Sequence, residues 1–144
     1  MSDIKEILSK YKKIAMVGVS NDPKKTSTIV MRYMQKYGFK VYPVNPNAKG
    51  QKILGEEVFK KITDIKDQVD IVDVFRPSKE APDIAKEAVR KKGKVLWLQY
   101  GIHHDEAEKI ADQASINFIS NKCIKQEYQR LFLKSNPVFP ALKN

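Results

Sequence analysis

The sequence predicts an α/β domain of three layers, in which a doubly wound, Rossmann-like parallel sheet of five strands in the order 3-2-1-4-5 lies between helices. Three observations predict it. Short apolar runs rich in Val and Ile alternate along the chain with segments whose apolar residues recur at helical spacing. The runs are nearly unbroken rather than alternating, the pattern of strands covered on both faces. The connections between them have about the length that a right-handed crossover between parallel strands needs. The 144 residues suit one domain with a real core, placed at 1–134, with 135–144 as a C-terminal tail.

In order, Ile4, Ile7, Leu8 and Tyr11 stand at helical spacing, so Ser2 to Lys12 reads as a short amphipathic helix. Ile14 to Val19 is the first strand, and Gly18 allows close approach to the backbone at its end. Thr26, Ser27 and Thr28 then offer hydroxyls to cap a helix that carries Ile29, Val30, Tyr33, Met34 and Tyr37 on one face and closes at Gly38. Phe39 to Val44 is the second strand, stopped by Pro43-Val44-Asn45-Pro46, where two prolines hold the backbone extended.

Ala48 to Asp67 reads as a crossing loop with a short helix or strand turn. Val69 to Phe75 is the third strand, with Ile71, Val72 and Val74 inside, and Arg76-Pro77-Ser78 follows it. A helix from about Pro82, tolerated only in a first turn, closes at Gly93. Lys94 to Gln99 is the fourth strand, left through Tyr100-Gly101. A helix with Ala107, Ile110, Ala111 and Ala114 leads to a short fifth strand, Ile116 to Ile119. The last helix carries Ile124, Tyr128, Leu131 and Phe132 inward, and Pro137 and Pro140 make the tail an extended arm.

Ligands of open α/β sheets bind beyond the carboxyl ends of the strands, at the switch point, expected here between the first and fourth strands. Those ends are Gly18-Val19-Ser20, Val44-Asn45-Pro46, Phe75-Arg76-Pro77, Gln99-Tyr100-Gly101 and Asn121-Lys122-Cys123. The first is a candidate anion site. A helix start attracts a phosphate, and Lys24 and Lys25 lie in the loop before it. The Gly-x-Gly-x-x-Gly fingerprint is absent, since Val19 and the Lys24-Lys25 region stand where its later glycines would.

The net charge of +10 favours anionic partners. The basic residues are scattered, with no basic and aromatic stripe, which argues against nucleic acid. A single cysteine, Cys123, excludes an intramolecular disulfide and a Cys-based zinc site. His103 and His104 are adjacent, so they cannot form the i, i+4 pair of a zinc helix; they read as exposed residues opening a helix, and no metal is expected. No segment reaches the roughly 20 apolar residues of a membrane span, so a soluble, cytoplasmic protein without a membrane partner is expected.

An NAD enzyme of this topology carries Asp or Glu at the end of the second strand to hold the ribose hydroxyls. Here Asn45 stands there, with Lys49 and Lys52 nearby. That suits a phosphorylated ribose, as in NADP or coenzyme A. A dehydrogenase needs a substrate domain, for which this chain leaves no room.

Val17-Gly18-Val19-Ser20 with Pro23 and Ser27, Val41-Tyr42-Pro43-Val44-Asn45-Pro46, Val72-Asp73-Val74-Phe75-Arg76, Leu96-Trp97-Leu98-Gln99 and Asn121-Lys122-Cys123 resemble the stand-alone CoA-binding proteins. That family is similar to the amino-terminal domain of the succinyl-CoA synthetase α subunit. The resemblance runs from Tyr11 to Leu131. It implies a domain that binds CoA or an acyl-CoA, alone, as a homo-oligomer or with a partner protein, and with no catalytic residues of its own. The pyrophosphate would lie over Gly18, Val19 and Ser20 and the start of the next helix, at Ser27 and Thr28. Adenosine would lie near Asn45, Pro46, Phe75, Arg76 and Pro77, with Lys25 and Lys49 as phosphate contacts. Gln99, Tyr100, Gly101 and Cys123 complete the edge. The chain departs from the family in carrying Asn47 where relatives often have Lys, and Asn121-Lys122 where they often have Asp-Arg. The alternative reading is a small NADP-linked or acyl-CoA-transforming enzyme, for which Tyr100, His103 and Cys123 are the candidate acid, base or nucleophile. Cys123, beside Lys122, is also placed to form a mixed disulfide with the CoA thiol.

Overall fold

The structure, a computed structural model, describes residues 3–48 and 50–133. Lys49 and the expected tail at 135–144 lie outside the described residues. Helix α1 (Ile4–Lys10) starts on the Asp3 side chain, which accepts from the Glu6 N–H. Strand β1 (Lys13–Val17) leads into α2 (Thr26–Lys36), then β2 (Lys40–Val44). A hairpin of β3 (Lys52–Ile53) and β4 (Glu56–Glu57) turns at Leu54 and Gly55, both at positive φ. Strand β5 (Ile71–Val74), α3 (Ala81–Lys91), β6 (Val95–Leu98), α4 (Asp105–Gln113), β7 (Asn117–Ile119) and α5 (Ile124–Tyr128) complete the order, with one π turn at Gln129–Leu133.

The main sheet has five parallel strands, β2-β1-β5-β6-β7. It is the doubly wound α/β sheet read from the sequence, with a shift of one place in its membership. Phe59 forms a parallel bridge to Val44, donating its N–H to the Pro43 carbonyl at 2.9 Å and accepting from the Asn45 N–H at 2.9 Å. That single residue holds the third place outside β2. With Phe59 counted, Ile71–Val74, expected as the third strand, is the fourth of six places in the order 3-2-1-4-5-6 and pairs with β1. One bridging residue has no periodicity to read. The switch point consequently lies between β1 and β5, which brings Gly18 against Arg76 rather than against Gln99.

Two cores cover the two faces of the sheet. Ile14, Met16, Ile71, Val95 and Trp97 join Met31 and Met34 of α2 and Ile124 of α5 on one face. Ala15, Val72, Val74, Leu96 and Leu98 join Ile84, Ala85 and Ala88 of α3 and Ala107 and Ala111 of α4 on the other. Burial on both faces explains the unbroken apolar runs. It also buries Asp73, which the sequence left out of the inward set. Asp73 registers with Met16 and Trp97, and among the described residues neither of its carboxylate oxygens has a hydrogen-bond partner. Burial drives its pKa well above the carboxylate range. Among the described residues, no helix is long and apolar enough to cross a membrane.

Candidate functional site

Strand β1 ends at Val17 and not at Val19, because Gly18 turns the chain at φ 95° while its N–H still donates to the Val44 carbonyl at 2.8 Å. The loop from Gly18 to Lys25 is then tied to the first turn of α2. Ser27 Oγ accepts from the Ser20 N–H at 3.0 Å, and Thr28 Oγ1 donates to the Ser20 carbonyl at 2.6 Å. The hydroxyls of Ser27 and Thr28, expected with Thr26 to cap α2, are thus spent on the loop. Lys25 is the N-cap residue, no side chain caps the helix, and its first turn carries no acid. The helix therefore keeps N–H groups and a positive dipole end without an internal counterpart, which is the electrostatic condition for holding an anion.

Asn45 joins this loop to the end of β2. Its Nδ2 donates to the Val19 carbonyl at 2.9 Å and its Oδ1 accepts from the Asn47 N–H at 2.9 Å. Val19, expected among the ligand contacts, is fully buried, and its carbonyl is taken by Asn45. Lys25 is exposed.

A cavity of about 470 Å³ opens at the switch point, and Gly18, Asn45, Pro46 and Arg76 of the expected residues line it. Its far wall is α3, with Ile84, Glu87 and Arg90. Lys60 and Lys61, which no sequence pattern singled out, line the cavity too. Arg76 makes a two-pronged ion pair with Glu80, Nε to Oε1 at 3.0 Å and Nη2 to Oε2 at 2.8 Å. The pair holds the Glu80 carboxyl below its ordinary pKa and the guanidinium above its own. Phe75 is half-buried against the core, and Pro77 is exposed.

The remaining expected residues lie farther along the same edge, outside this cavity. Gln99 is buried, and its Oε1 accepts from the Ile124 N–H at 3.1 Å, fixing the start of α5. Tyr100 is 76 % exposed. The Gly101 N–H donates to Asn121 Oδ1 at 2.7 Å. Cys123 is half-buried at the N-cap of α5. His104 caps α4 through its ring, Nδ1 accepting from the Glu106 N–H at 3.1 Å. His103 lies in a chain that sequence spacing could not reveal: its Nδ1 meets Ser120 Oγ at 2.8 Å and its Nε2 meets Asp105 Oδ1 at 2.9 Å.

A doubly wound parallel sheet with an uncapped helix start and a cavity at its switch point defines a Rossmann-like α/β domain. The chain belongs to the CoA binding domain family, whose pattern it matches over residues 12–129. Protein YneT of Bacillus subtilis is 36% identical over 124 residues, spanning 86% of this chain and 90% of its own. A solved hypothetical protein from Pyrococcus horikoshii superposes with a TM-score of 0.86 at 40% identity, covering 90% of this chain and 89% of its own. The α subunit of an ADP-forming acetate–CoA ligase from Pyrococcus furiosus is 30% identical over 115 residues. That match takes in 75% of this chain and 25% of the ligase subunit. The resemblance read from the five strand-end motifs is thus the family to which the chain belongs.

Proposed function

We propose that this domain binds coenzyme A, free or acylated, along the carboxyl edge of its sheet. The adenosine end lies in the cavity between Asn45-Pro46 and α3, and the 3′-phosphate meets Lys60 and Lys61. The diphosphate sits over Gly18, Val19 and Ser20 at the start of α2, with Lys25 and Arg76 as its cationic side chains. Pantetheine runs past Gln99, Tyr100 and Gly101 toward Cys123. The observation that carries this reading is that Gly18, which opens the loop to the uncapped, acid-free start of α2, also lines the switch-point cavity. The ligase relative is named as a subunit, which supports a role alongside a partner chain.

Binding to the folded state alone raises thermal stability, by about 2.7 kcal/mol when the ligand is at 100 times its Kd. Thermal melts with increasing CoA should therefore show a rising Tm; an unchanged Tm at millimolar CoA would contradict the reading. A second reading, acyl-CoA transformation, is favoured by the Ser120–His103–Asp105 chain.

A further inference from the structure

We propose that Ser120, His103 and Asp105 form a nucleophile–base–acid relay that hydrolyses the thioester of an acyl-CoA, with the Asn121 side-chain amide as oxyanion donor. The choice of thioester rests on the CoA-binding reading above; the relay rests on geometry alone. The three side chains come from separate places, the end of β7, the loop after β6 and the first turn of α4. They meet at 2.8 and 2.9 Å.

The acid decides the tautomer. An ionised carboxylate only accepts, so the imidazole nitrogen facing Asp105 carries the proton, and the neutral ring then has its other nitrogen free to accept. In that neutral form His103 Nδ1 is the acceptor, and the Ser120 hydroxyl donates to it. This is the arrangement of a general base beside a hydroxyl nucleophile, with the two ring nitrogens in exchanged roles compared with the common protease triad. The His103 side chain is 44% exposed and that of Asp105 88%, so the relay lies at the surface, tied down through the His103 backbone. The His103 N–H donates to Ser78 Oγ at 3.1 Å, and the ring meets Phe118 edge-on with centroids 6.0 Å apart. Ser78 follows Arg76-Pro77, so the relay is anchored to the loop that lines the cavity.

Asn121 supplies the electrostatic part. Its Oδ1 accepts from the Gly101 N–H, which assigns the other end of the amide as Nδ2, and among the described residues that donor has no partner. Asn121 stands at φ 59°. A side-chain amide N–H that reaches the reacting carbonyl stabilises the oxyanion of a tetrahedral intermediate, and Asn121 follows Ser120 directly in the chain.

In the proposed reaction Ser120 Oγ attacks the thioester carbonyl as its proton passes to His103 Nδ1. The C–S bond breaks, and the proton goes to the departing sulfur, giving the CoA thiol and an acyl-serine. Water then attacks the ester, its proton passing through His103 back to Ser120 Oγ as the carboxylic acid leaves. Asp105 is a positioning residue.

The test uses the full chain with a fluorophosphonate probe and p-nitrophenyl acetate, neither of which needs a CoA site, and acetyl-CoA with thiol release as the readout. Peptide mass spectrometry should place the probe on Ser120. Ser120→Ala should lose both the label and the hydrolysis. His103→Gln should slow ester hydrolysis about a hundredfold or more. Asn121→Asp keeps the bond to Gly101, and should slow acetyl-CoA hydrolysis about a hundredfold. The relay is overturned if Ser120 stays unlabelled in a chain that binds CoA, or if Ser120→Ala hydrolyses p-nitrophenyl acetate at the wild-type rate. Activity that survives Ser120→Ala and vanishes with EDTA overturns it too, pointing to a metal at His103, Asp105 and Glu108, whose ligand atoms lie within 4.8 Å of one another. A labelled Ser120 in a chain that does not bind CoA overturns the thioester substrate and leaves the relay standing.

Discussion

The side chain of Arg76 lies across Gly18: a Cβ on the glycine would fall 2.9 Å from Arg76 Cδ and 3.3 Å from its Cγ. The contact joins the ends of β1 and β5 at the switch point. It also makes the glycine specific, since φ at Gly18 is 95°, where a side chain is strained. Gly18→Ala should cost roughly 1–3 kcal/mol of stability and displace the guanidinium from Glu80. Denaturant unfolding and CoA titration of the variant read both effects. Wild-type stability and affinity together would count against this contact.

Arg76 itself separates binding from stability. Its ion pair with Glu80 is exposed on both sides, 45% and 37%, and such pairs contribute about 0–1 kcal/mol. Arg76→Ala should leave Tm nearly unchanged and weaken CoA about tenfold, more at low salt than at high. Glu80→Gln should free the guanidinium and strengthen CoA. A large loss of Tm in Arg76→Ala with unchanged affinity would assign the residue to structure alone.

Asp73 gives the protein a pH dependence. Above the ordinary carboxylate pKa of about 3.9, the unfolded chain holds Asp73 ionised, while burial keeps it protonated in the folded state. Folding then takes up a proton. This contribution is fully present below the unfolded pKa and is lost as pH rises toward the raised folded pKa. Asp73→Asn should remove that slope and be more stable than wild type at pH 7 by about 1 kcal/mol or more, with the gap closing near pH 4. Parallel stability curves for the two chains would refute the assignment.

Most of the fold was legible because it is written in periodicity. Strands buried on both faces leave unbroken apolar runs, and Gly38 marks the end of α2, whereas α3 closes one residue before the expected Gly93, on Lys92 at φ 63°. Phe59 was not legible as a strand, since its place in the sheet is one bridge to Val44. The strand-end rule found Gly18, Asn45, Pro46 and Arg76 in the cavity, but Lys60 and Lys61 reach it from a loop with no pattern of its own. Thr26, Ser27 and Thr28 were legible as hydroxyls near the start of α2, but not the bonds of Ser27 and Thr28 back to Ser20. Ser120 and His103 are 17 residues apart, and only the pairing of β6 with β7 brings them together.

Lys60 and Lys61 at the cavity predict how CoA is told from its dephosphorylated form. Lys60→Ala with Lys61→Ala should weaken CoA about tenfold and leave dephospho-CoA unchanged. Equal loss for both ligands would move the 3′-phosphate elsewhere on the edge.

The central claim is that this edge selects coenzyme A. Calorimetric titration of the full chain with CoA, dephospho-CoA, NADP and NAD in one buffer tests it most directly. CoA should bind most tightly, with dephospho-CoA weaker by the lost phosphate contact and the two dinucleotides weaker still. CoA binding no tighter than NADP or NAD would contradict it.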